Sequence, residues 1–346
     1  MTHRFPIKEL ARQAGLSTAT VDRALNNRAN VSPQTKRRVA AATQELEAQE
    51  SLLAAKGRRI FIDFVVEAPQ RFNREIQTAC DDVLSYLGPA VFRPRYFMKD
   101  NMGDNDVEAL LNMIAKRGSH GVVLKARDVP NVQNLVSKLH DRNIPVVTLV
   151  TDITSPHRLT YAGLDNFRAG QTAAYLMAKV LKDQLGCVLT TQSQSDFTGE
   201  QERLRGFEDV ITQKCPQIRL IKTSGGGGRS SDTLKTIEDF LPDARQLKGV
   251  YSMGGANQTI LNLLDRFRIA PEIFIAHDLD EENLHHLKNE TIDFVLFHNL
   301  KDDLHHAFNA IAAYHGLSTS KNTPQQSDIQ IISLHNIPTY FRSKLG

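Results

Sequence analysis

The length of 346 residues exceeds that of one ordinary domain. The composition, 41% hydrophobic and 23% charged, fits a soluble globular protein. No apolar run is long enough to span a bilayer and no charged and apolar leader is present, so we expect neither a membrane protein nor an exported one. The formal net charge of +3 is divided unevenly, since residues 1–59 hold eleven Lys and Arg against five Asp and Glu, and this basic small domain on a slightly acidic remainder indicates nucleic acid binding at one end only.

The first predicted elements are two short helices joined by a turn, over residues 6–26. Pro6 suits the first turn of a helix, Gly15 supplies the break, and Ser17 is well placed to cap the second helix. One face of the second helix is predicted to pack, with Thr20, Val21, Ala24 and Leu25. The other face is free and holds Thr18, Ala19, Asp22 and Arg23. Such a face at the start of a helix is how a recognition helix meets base edges in the major groove, and the alternative is an ordinary helical hairpin.

A third helix is predicted to follow, with Ser32 as its N-cap and Pro33 as its first residue. It directs Lys36, Arg37 and Arg38 to solvent or phosphate. Together the three helices carry the pattern Ile7-x-x-Leu10-Ala11-x-x-Ala14-Gly15-x-Ser17-x-x-Thr20-Val21-x-Arg23-x-Leu25-Asn26, with Val31-Ser32-x-x-Thr35 after it. This pattern resembles the headpiece of the lac repressor (LacI-type) transcription regulators. The resemblance implies a ligand-responsive repressor that binds double-stranded DNA.

Several headpiece residues are candidates for DNA contact. Arg23 is the candidate for reading a guanine through O6 and N7, and Thr18 and Ala19 can touch a thymine methyl group. Asp22 could accept from a cytosine amino group or orient Arg23. The remaining candidates are expected to contact the DNA backbone, and such contacts position the protein without specifying sequence: Lys8, Ser17, Asn26, Arg28, Ser32 and Thr35.

Residues 48–59 are predicted to link the headpiece, residues 1–47, to the rest of the chain. LacI-type proteins usually carry a Tyr-x-Pro-Asn segment here, followed by a short hinge helix whose leucine wedges into the minor groove. This sequence lacks that segment. Leu52 and Leu53 are the candidate wedges, and a plain helical linker is the alternative.

From Ile60 onward, buried-strand patterns alternate with helical patterns, which predicts parallel strands joined by right-handed crossovers. We expect a first lobe over about residues 60–160 with a C-terminal return by a strand at 328–334, and a second lobe over about 161–325. The fold class is therefore α/β, with a small all-α helix-turn-helix headpiece followed by a two-lobed domain (60–346) of Rossmann-like parallel sheets. It is similar to the periplasmic sugar-binding-protein fold that LacI-type regulators use as a sensor and for dimerisation.

Ligands bind such sheets beyond the carboxyl ends of their strands. Asp165, Arg203 and Asp278 fall where the family places ligand-binding residues, and a carboxylate with a guanidinium suits vicinal hydroxyls. An interlobe ion pair is the alternative for Arg203 and Asp278. Further candidates follow predicted strands: Phe72, which could stack on a sugar ring or belong to the core, and Lys125, Asp152, Asn257 and Asn299.

Other kinds of chemistry are not predicted. Cys80, Cys187 and Cys215 are scattered without C-x-x-C spacing, which indicates reduced thiols rather than a disulfide or zinc site. Residues 224–231 lack the Gly-Lys-Ser/Thr of a phosphate loop and are predicted to form a turn. The pairs His285-His286 and His305-His306 are predicted to be exposed. We therefore expect no metal, no cofactor and no enzyme.

The functional hypothesis is a cytoplasmic homodimer that reads a pseudo-palindromic operator and responds to a small polar effector, a sugar or polyol. The dimer follows from the mechanism, since two headpieces are needed for two half-sites. The alternative is a solute-binding protein of a transporter, which would need an export leader.

Overall fold

The computed structural model describes residues 4–342, apart from 30, 56–58, 86, 88–90, 239–245 and 318–325, and the side chains of 51–55, 91, 230, 340 and 342. The headpiece consists of α1 (Ile7–Ala14), α2 (Thr18–Leu25) and α3 (Pro33–Ala55). Ser17 Oγ accepts from the N–H of Thr20 (3.2 Å) and Ser32 Oγ from the N–H of Thr35 (3.1 Å). Both predicted N-caps are therefore confirmed.

One small apolar core holds the three headpiece helices together. The spacing of the apolar residues places the members of this core on the inner face of each helix, as the periodicity predicted. Its buried residues are Leu10, Ala11, Val21, Ala24, Val39 and Leu46. Because this core faces inward, the opposite face of α2 is left to solvent.

The linker between headpiece and lobes is helical in its first part. Helix α3 continues without a break through Ala55, and the first strand begins at Arg59. The plain helical linker thus describes residues 48–55. Leu52 and Leu53 lie within α3, but their side chains lie outside the described residues, so a minor-groove wedge at either position stays a prediction.

The first lobe is built on a five-stranded parallel sheet of order β2-β1-β3-β4-β5. Its elements are β1 (Arg59–Glu67), α4 (Gln70–Leu84), β2 (Val91–Lys99), α5 (Asp104–Arg117), β3 (Gly121–Lys125), α6 (Pro130–His140), β4 (Val146–Leu149) and β5 (Thr160–Ala162). Helices cover both faces of this sheet, which explains why β3 and β4 are buried along their whole length.

The second lobe is built on a six-stranded sheet of order β11-β10-β9-β8-β6-β7. Its elements are α7 (Asn166–Leu181), β6 (Gly186–Thr191), α8 (Thr198–Lys214), β7 (Ile218–Thr223), α9 (Ser230–Ile237), β8 (Leu247–Ser252), α10 (Asn257–Arg266), β9 (Ile273–His277), α11 (Glu281–Lys288) and β10 (Phe294–Phe297). The chain ends with α12 (Leu300–Tyr314), β11 (Gln330–Ile332) and α13 (Thr339–Arg342).

The assignment of the last elements to lobes differs from the sequence-based prediction. Helix α12 was expected in the second lobe, but Leu304, Phe308 and Ile311 pack into the core of the first, where they cover the sheet face that α5 and α6 leave open. Strand β11 was expected to return to the first lobe, but it pairs antiparallel with β10. That pairing satisfies the hydrogen-bonding edge that β10 would otherwise expose.

No helix in the described part of the chain combines the length and the apolarity needed to cross a membrane.

Candidate functional site

The outer face of α2 carries a free set of polar and small side chains. Its buried opposite side, centred on Val21 at 0% exposure, fixes the helix on α1 and α3. The predicted DNA-contacting residues on this outer surface are exposed: Ser17, Thr18, Ala19, Arg23 and Asn26. An exposed face of polar and small side chains at the start of a helix is the arrangement with which recognition helices meet base edges in the major groove.

The structure bears on one of the two roles suggested for Asp22, that of orienting Arg23. Its carboxylate accepts from Asn26 Nδ2 (2.8 Å) and forms an ion pair with Arg28 Nη1 (3.1 Å). Arg23 is not among its contacts. Asp22 therefore positions two candidate backbone-contacting residues rather than the candidate base reader.

The N-terminus of α3 forms a second exposed element of the headpiece. Ser32 and Thr35 hydrogen-bond to each other there (2.9 Å), and a helix N-terminus favours phosphate. Lys8 is exposed on α1. Arg38 donates to the carbonyl oxygens of Ala14 (2.8 Å) and Gly15 (3.3 Å), so it caps the end of α1 instead of extending only toward solvent or phosphate.

A cleft lies between the lobes, where the carboxyl ends of their parallel strands meet. It contains a cavity of about 60 Å³, hereafter the first cavity. Four of the predicted ligand residues line it: Phe72, Lys125, Arg203 and Asp278. Residues that the sequence analysis missed also line it, including Arg71, Glu200, His277 and Asp280.

Lys125 ends β3 and is buried in the first cavity. Its Nζ donates to the carbonyl oxygen of Glu67 (2.9 Å) and lies 4.0 Å from the ring centroid of Phe197. Burial lowers the pKa of Lys125, while the nearby Glu200 opposes this shift. Burial also disfavours the charged form of Glu200 and so raises its pKa. The carboxyl of Glu200 accepts from the N–H (2.6 Å) and the Oγ of Ser193.

Arg203 on α8 is 3% exposed and has a fixed orientation. Its Nε donates to Asn166 Oδ1 (2.7 Å), and Nη1 reaches the carbonyl oxygen of Met253 (3.4 Å). Helices α7 and α8 can approach this closely only because Gly170 has no side chain, since a Cβ there would lie 1.9 Å from Arg203 O. The Asp-Asn-x-x-x-Gly segment thus holds Arg203 in place, through the side chain of Asn166 and the close backbone contact at Gly170.

Asp278 follows β9 in a left-handed backbone conformation with φ of 66°. Its N–H donates to Leu296 O (3.0 Å) and its carbonyl oxygen accepts from Asn283 Nδ2 (2.7 Å), which holds the carboxylate at the cavity wall. Non-glycine residues in this conformation are uncommon and cluster at functional sites.

An arginine–carboxylate ion pair joins the lobes, and it uses neither Arg203 nor Asp278. Arg71 on α4 pairs through Nε with Asp280 (2.9 Å), the N-cap of α11, and more distantly with Glu282 (3.8 Å). Burial raises the pKa of Asp280 to about 6 even though Arg71 opposes the shift. The lobes are therefore connected across the cleft by a buried, imperfectly compensated carboxylate.

The other predicted ligand residues do not line the first cavity. Asp152 accepts two bonds from Arg158 (2.6 Å each). Asp165 caps α7, and Asn257 donates to Asn283 Oδ1 (2.6 Å). Asn299 caps α12 and borders a different cavity. In the sequence, helix N-caps and polar residues that pair with each other resemble ligand residues, because all three follow the carboxyl ends of strands.

The remaining sequence signals also have structural roles. The three cysteines are free and buried. The glycine-rich segment turns between β7 and α9, with positive φ at Gly227 and Gly228. His286 is 3% exposed and bonds Thr291 Oγ1 (3.0 Å), so the prediction that it is exposed was wrong, because its side of α11 faces the core. Within the described ranges no cluster of three or more His, Cys, Asp or Glu could hold a metal ion.

Two family models match this chain. Residues 6–48 match the model described as bacterial regulatory proteins, lacI family, and residues 70–315 match the model described as periplasmic binding protein domain. Among curated proteins, the chain is similar to catabolite control protein A of Staphylococcus epidermidis, with 23% identity over 69% of this chain and 71% of that protein. It is also similar to the HTH-type transcriptional repressor PurR of Aliivibrio salmonicida, with 27% identity over 68% and 69%.

Solved structures share the fold of the larger domain. GanP, a glucose-galactose binding protein from Geobacillus stearothermophilus, superposes with a TM-score of 0.70 at 19% identity over 82% of this chain and all of that one. A putative LacI transcriptional regulator from Bacteroides fragilis gives a TM-score of 0.67 at 14% identity over 81% and 98%. With its helix-turn-helix headpiece and its two-lobed periplasmic-binding-protein-like domain, this chain belongs to the lacI family of bacterial regulatory proteins.

Proposed function

We propose that this protein is a sequence-specific DNA-binding repressor controlled by a small hydroxylated metabolite, a sugar or polyol, that binds between its lobes. The observation that carries the proposal is the combination in one chain of an exposed recognition face on α2 with a polar interlobe cleft. The face supplies contacts for base edges, and the cleft supplies a ligand-dependent switch.

The chemistry of the first cavity supports a hydroxylated ligand. Arg203 and Lys125 offer donors, and the carboxylate of Asp278 offers acceptors, while Phe72 and Phe197 provide ring faces. Such a mixture suits a sugar ring, which presents hydroxyl groups at its edge and C–H groups on its faces. Similar solved structures are described with sugars, including D-fucose and D-arabinose.

Control of DNA binding follows from the position of the cleft. A ligand changes an equilibrium only if it binds one lobe arrangement better than the other. A ligand that enters between Arg71 and Asp280 alters the contact that joins the lobes. Coupling to DNA then requires that the lobe arrangement sets the spacing of two headpieces in a homodimer on a pseudo-palindromic operator. We infer a cytoplasmic location, where that DNA is present.

The test is a fluorescence anisotropy titration of full-length protein against genomic fragments enriched by selection, with and without a panel of sugars and polyols. The expected result is preference for one fragment and a change of that preference by one compound. A matched comparison uses Arg23→Ala on the recognition face and Arg12→Ala on α1, which is exposed but was not predicted to contact bases. Only the first variant should lose discrimination between fragments.

The same titration separates the alternatives. A solute-binding protein would bind a sugar and show no fragment preference. An enzyme that converts sugars would yield product when it is incubated with the panel, which chromatography of the mixture detects.

A further inference from the structure

A second cavity lies beside the first, at the crossover from β10 to α12. Its volume is about 270 Å³, against about 60 Å³ for the first cavity. Phe72, Asp278 and Asp280 line both cavities, so the two are neighbours across a shared wall. Small-molecule sites usually measure roughly 300–1,000 Å³, and in this arrangement of the lobes the first cavity alone is too small for a complete ligand.

Most of the wall of the second cavity is apolar and comes from three parts of the chain. Helix α4 contributes Ala79, the β10–α12 crossover contributes Phe297 and Leu300, and α13 contributes Phe341. The rings of Phe297 and Phe341 are 5.8 Å apart at 81°. Both are 6% exposed and they form an edge-to-face pair, so a third aromatic or aliphatic ring can pack against them.

A buried histidine, His298, also lines the second cavity. His298 is 2% exposed, and its Nδ1 bonds Asp303 (2.5 Å), whose other oxygen accepts from Ser327. Its Nε2 lies 3.9 Å from Asp278, too far for a hydrogen bond, and has no hydrogen-bonding partner among the described residues. Since Asp278 belongs to both cavities, His298 Nε2 lies near the wall that the two cavities share.

The charges around the second cavity are mainly negative. Carboxylates of Glu75, Asp82, Asp278 and Asp280 line it. Two cations compensate part of this charge, since Lys301 pairs with Asp82 (2.7 Å) and Arg71 pairs with Asp280 (2.9 Å). A phosphate or carboxylate placed here would meet like charges at short range. An uncharged group meets no such repulsion.

We propose that the second cavity binds an uncharged, largely apolar substituent of the same effector whose hydroxylated ring occupies the first cavity. This inference rests on the proposed function and narrows its ligand class. The effector is a sugar or polyol carrying a ring or short alkyl group through an oxygen, such as an aryl glycoside, and not a free sugar or a sugar phosphate.

The experiment compares matched glycosides by isothermal titration calorimetry on the full-length protein. The compounds are the p-nitrophenyl and methyl glycosides of the common pentoses and hexoses. Thr78→Trp places a bulky ring at the second cavity from an exposed position of α4, where it should not disturb the core. Asn112→Trp, at an exposed position of α5 that lines neither cavity, is the matched control.

For one sugar, the nitrophenyl glycoside should bind the wild type and Asn112→Trp at least about tenfold more tightly than the methyl glycoside, because burying an aromatic ring is worth at least that factor. Thr78→Trp should remove the advantage and leave methyl glycoside affinity unchanged. If both glycosides bind the wild type equally, or if the advantage survives in Thr78→Trp, the inference is wrong while the proposed function stands. If no glycoside binds but a free sugar or a polyol does, the inference is wrong while the proposed function stands. If no glycoside, free sugar or polyol binds, both are wrong.

Discussion

Replacing Asp280 by Asn should change how the stability of the protein depends on pH. The carboxyl of Asp280 is buried beside Arg71, and burial raises its pKa from 3.8 to about 6. Asn is an equally good N-cap, so the bond to the N–H of Asn283 (2.8 Å) can be kept while the charge is removed.

The sign follows from proton binding. Between pH 3.8 and 6 the folded protein holds a proton on Asp280 that the unfolded chain has lost, so the free energy of unfolding falls as the pH rises through this window. Each pKa unit corresponds to about 1.4 kcal/mol, which makes the complete loss about 3 kcal/mol. About 2 kcal/mol of it falls between pH 4.5 and pH 7. Asp280→Asn carries no proton to lose.

Urea denaturation of both proteins at pH 4.5 and pH 7 measures this effect. The stability of Asp280→Asn relative to wild type should increase by about 2 kcal/mol from the lower to the higher pH. Asp165→Asn, at the more exposed N-cap of α7, is the control and should show no comparable change. A relative stability of Asp280→Asn that is equal at both pH values would refute the view that its buried charge is poorly compensated.

Three further predictions concern the recognition face and the cleft. Arg23→Ala should cost roughly 1–3 kcal/mol on the preferred DNA and less on random DNA, measured by anisotropy; equal losses would mean that Arg23 does not read sequence. Gly170→Ala places a Cβ 1.9 Å from Arg203 O and should lower stability in urea by roughly 1–3 kcal/mol. Gly103→Ala, with no atom within 4 Å, should cost less than about 1 kcal/mol, which is the effect of a poorer N-cap on α5. Arg203→Lys keeps the charge but loses the forked donors that hold Asn166 and a hydroxyl pair, so effector affinity should fall at least about tenfold in calorimetry. Unchanged affinity would place the ligand elsewhere.

Local elements could be predicted because their signals are local. Ser17 and Ser32 cap the helices that they precede, and the apolar periodicity of α2 identified its buried side. The parallel strands were recognisable because strands buried on both faces are continuously apolar. These signals involve neighbours within a few residues.

The placement of α12 and β11 could not be predicted from such signals. The apolar periodicity of α12 predicts a buried face but does not specify a lobe, and in the structure that face packs on the open side of the first sheet. Strand β11 lies beside β10 because that strand was left at an edge. Both outcomes depend on contacts between residues far apart in the chain.

The residues of the cleft were predicted only in part, because the cleft is also formed by residues far apart in the chain. Arg203 and Asp278 were found through their resemblance to family positions, but Arg71 and Glu200 become recognisable only when α4 and α8 meet at the cleft. Asp165 was read as a ligand residue although it caps a helix. An aspartate followed by Glu281 and Glu282 at a helix start was a local cap signal that could have drawn attention to Asp280.

The most direct test of ligand-controlled DNA binding is the anisotropy titration of full-length protein on its preferred genomic fragment and on competitor DNA, repeated in the presence of the compound that binds the cleft most tightly. We predict at least about a hundredfold preference for the fragment, with that preference changed about tenfold or more by the compound in wild type but not in Arg203→Lys. Equal affinity for both DNAs, or a preference that no cleft ligand alters, would contradict the proposed function.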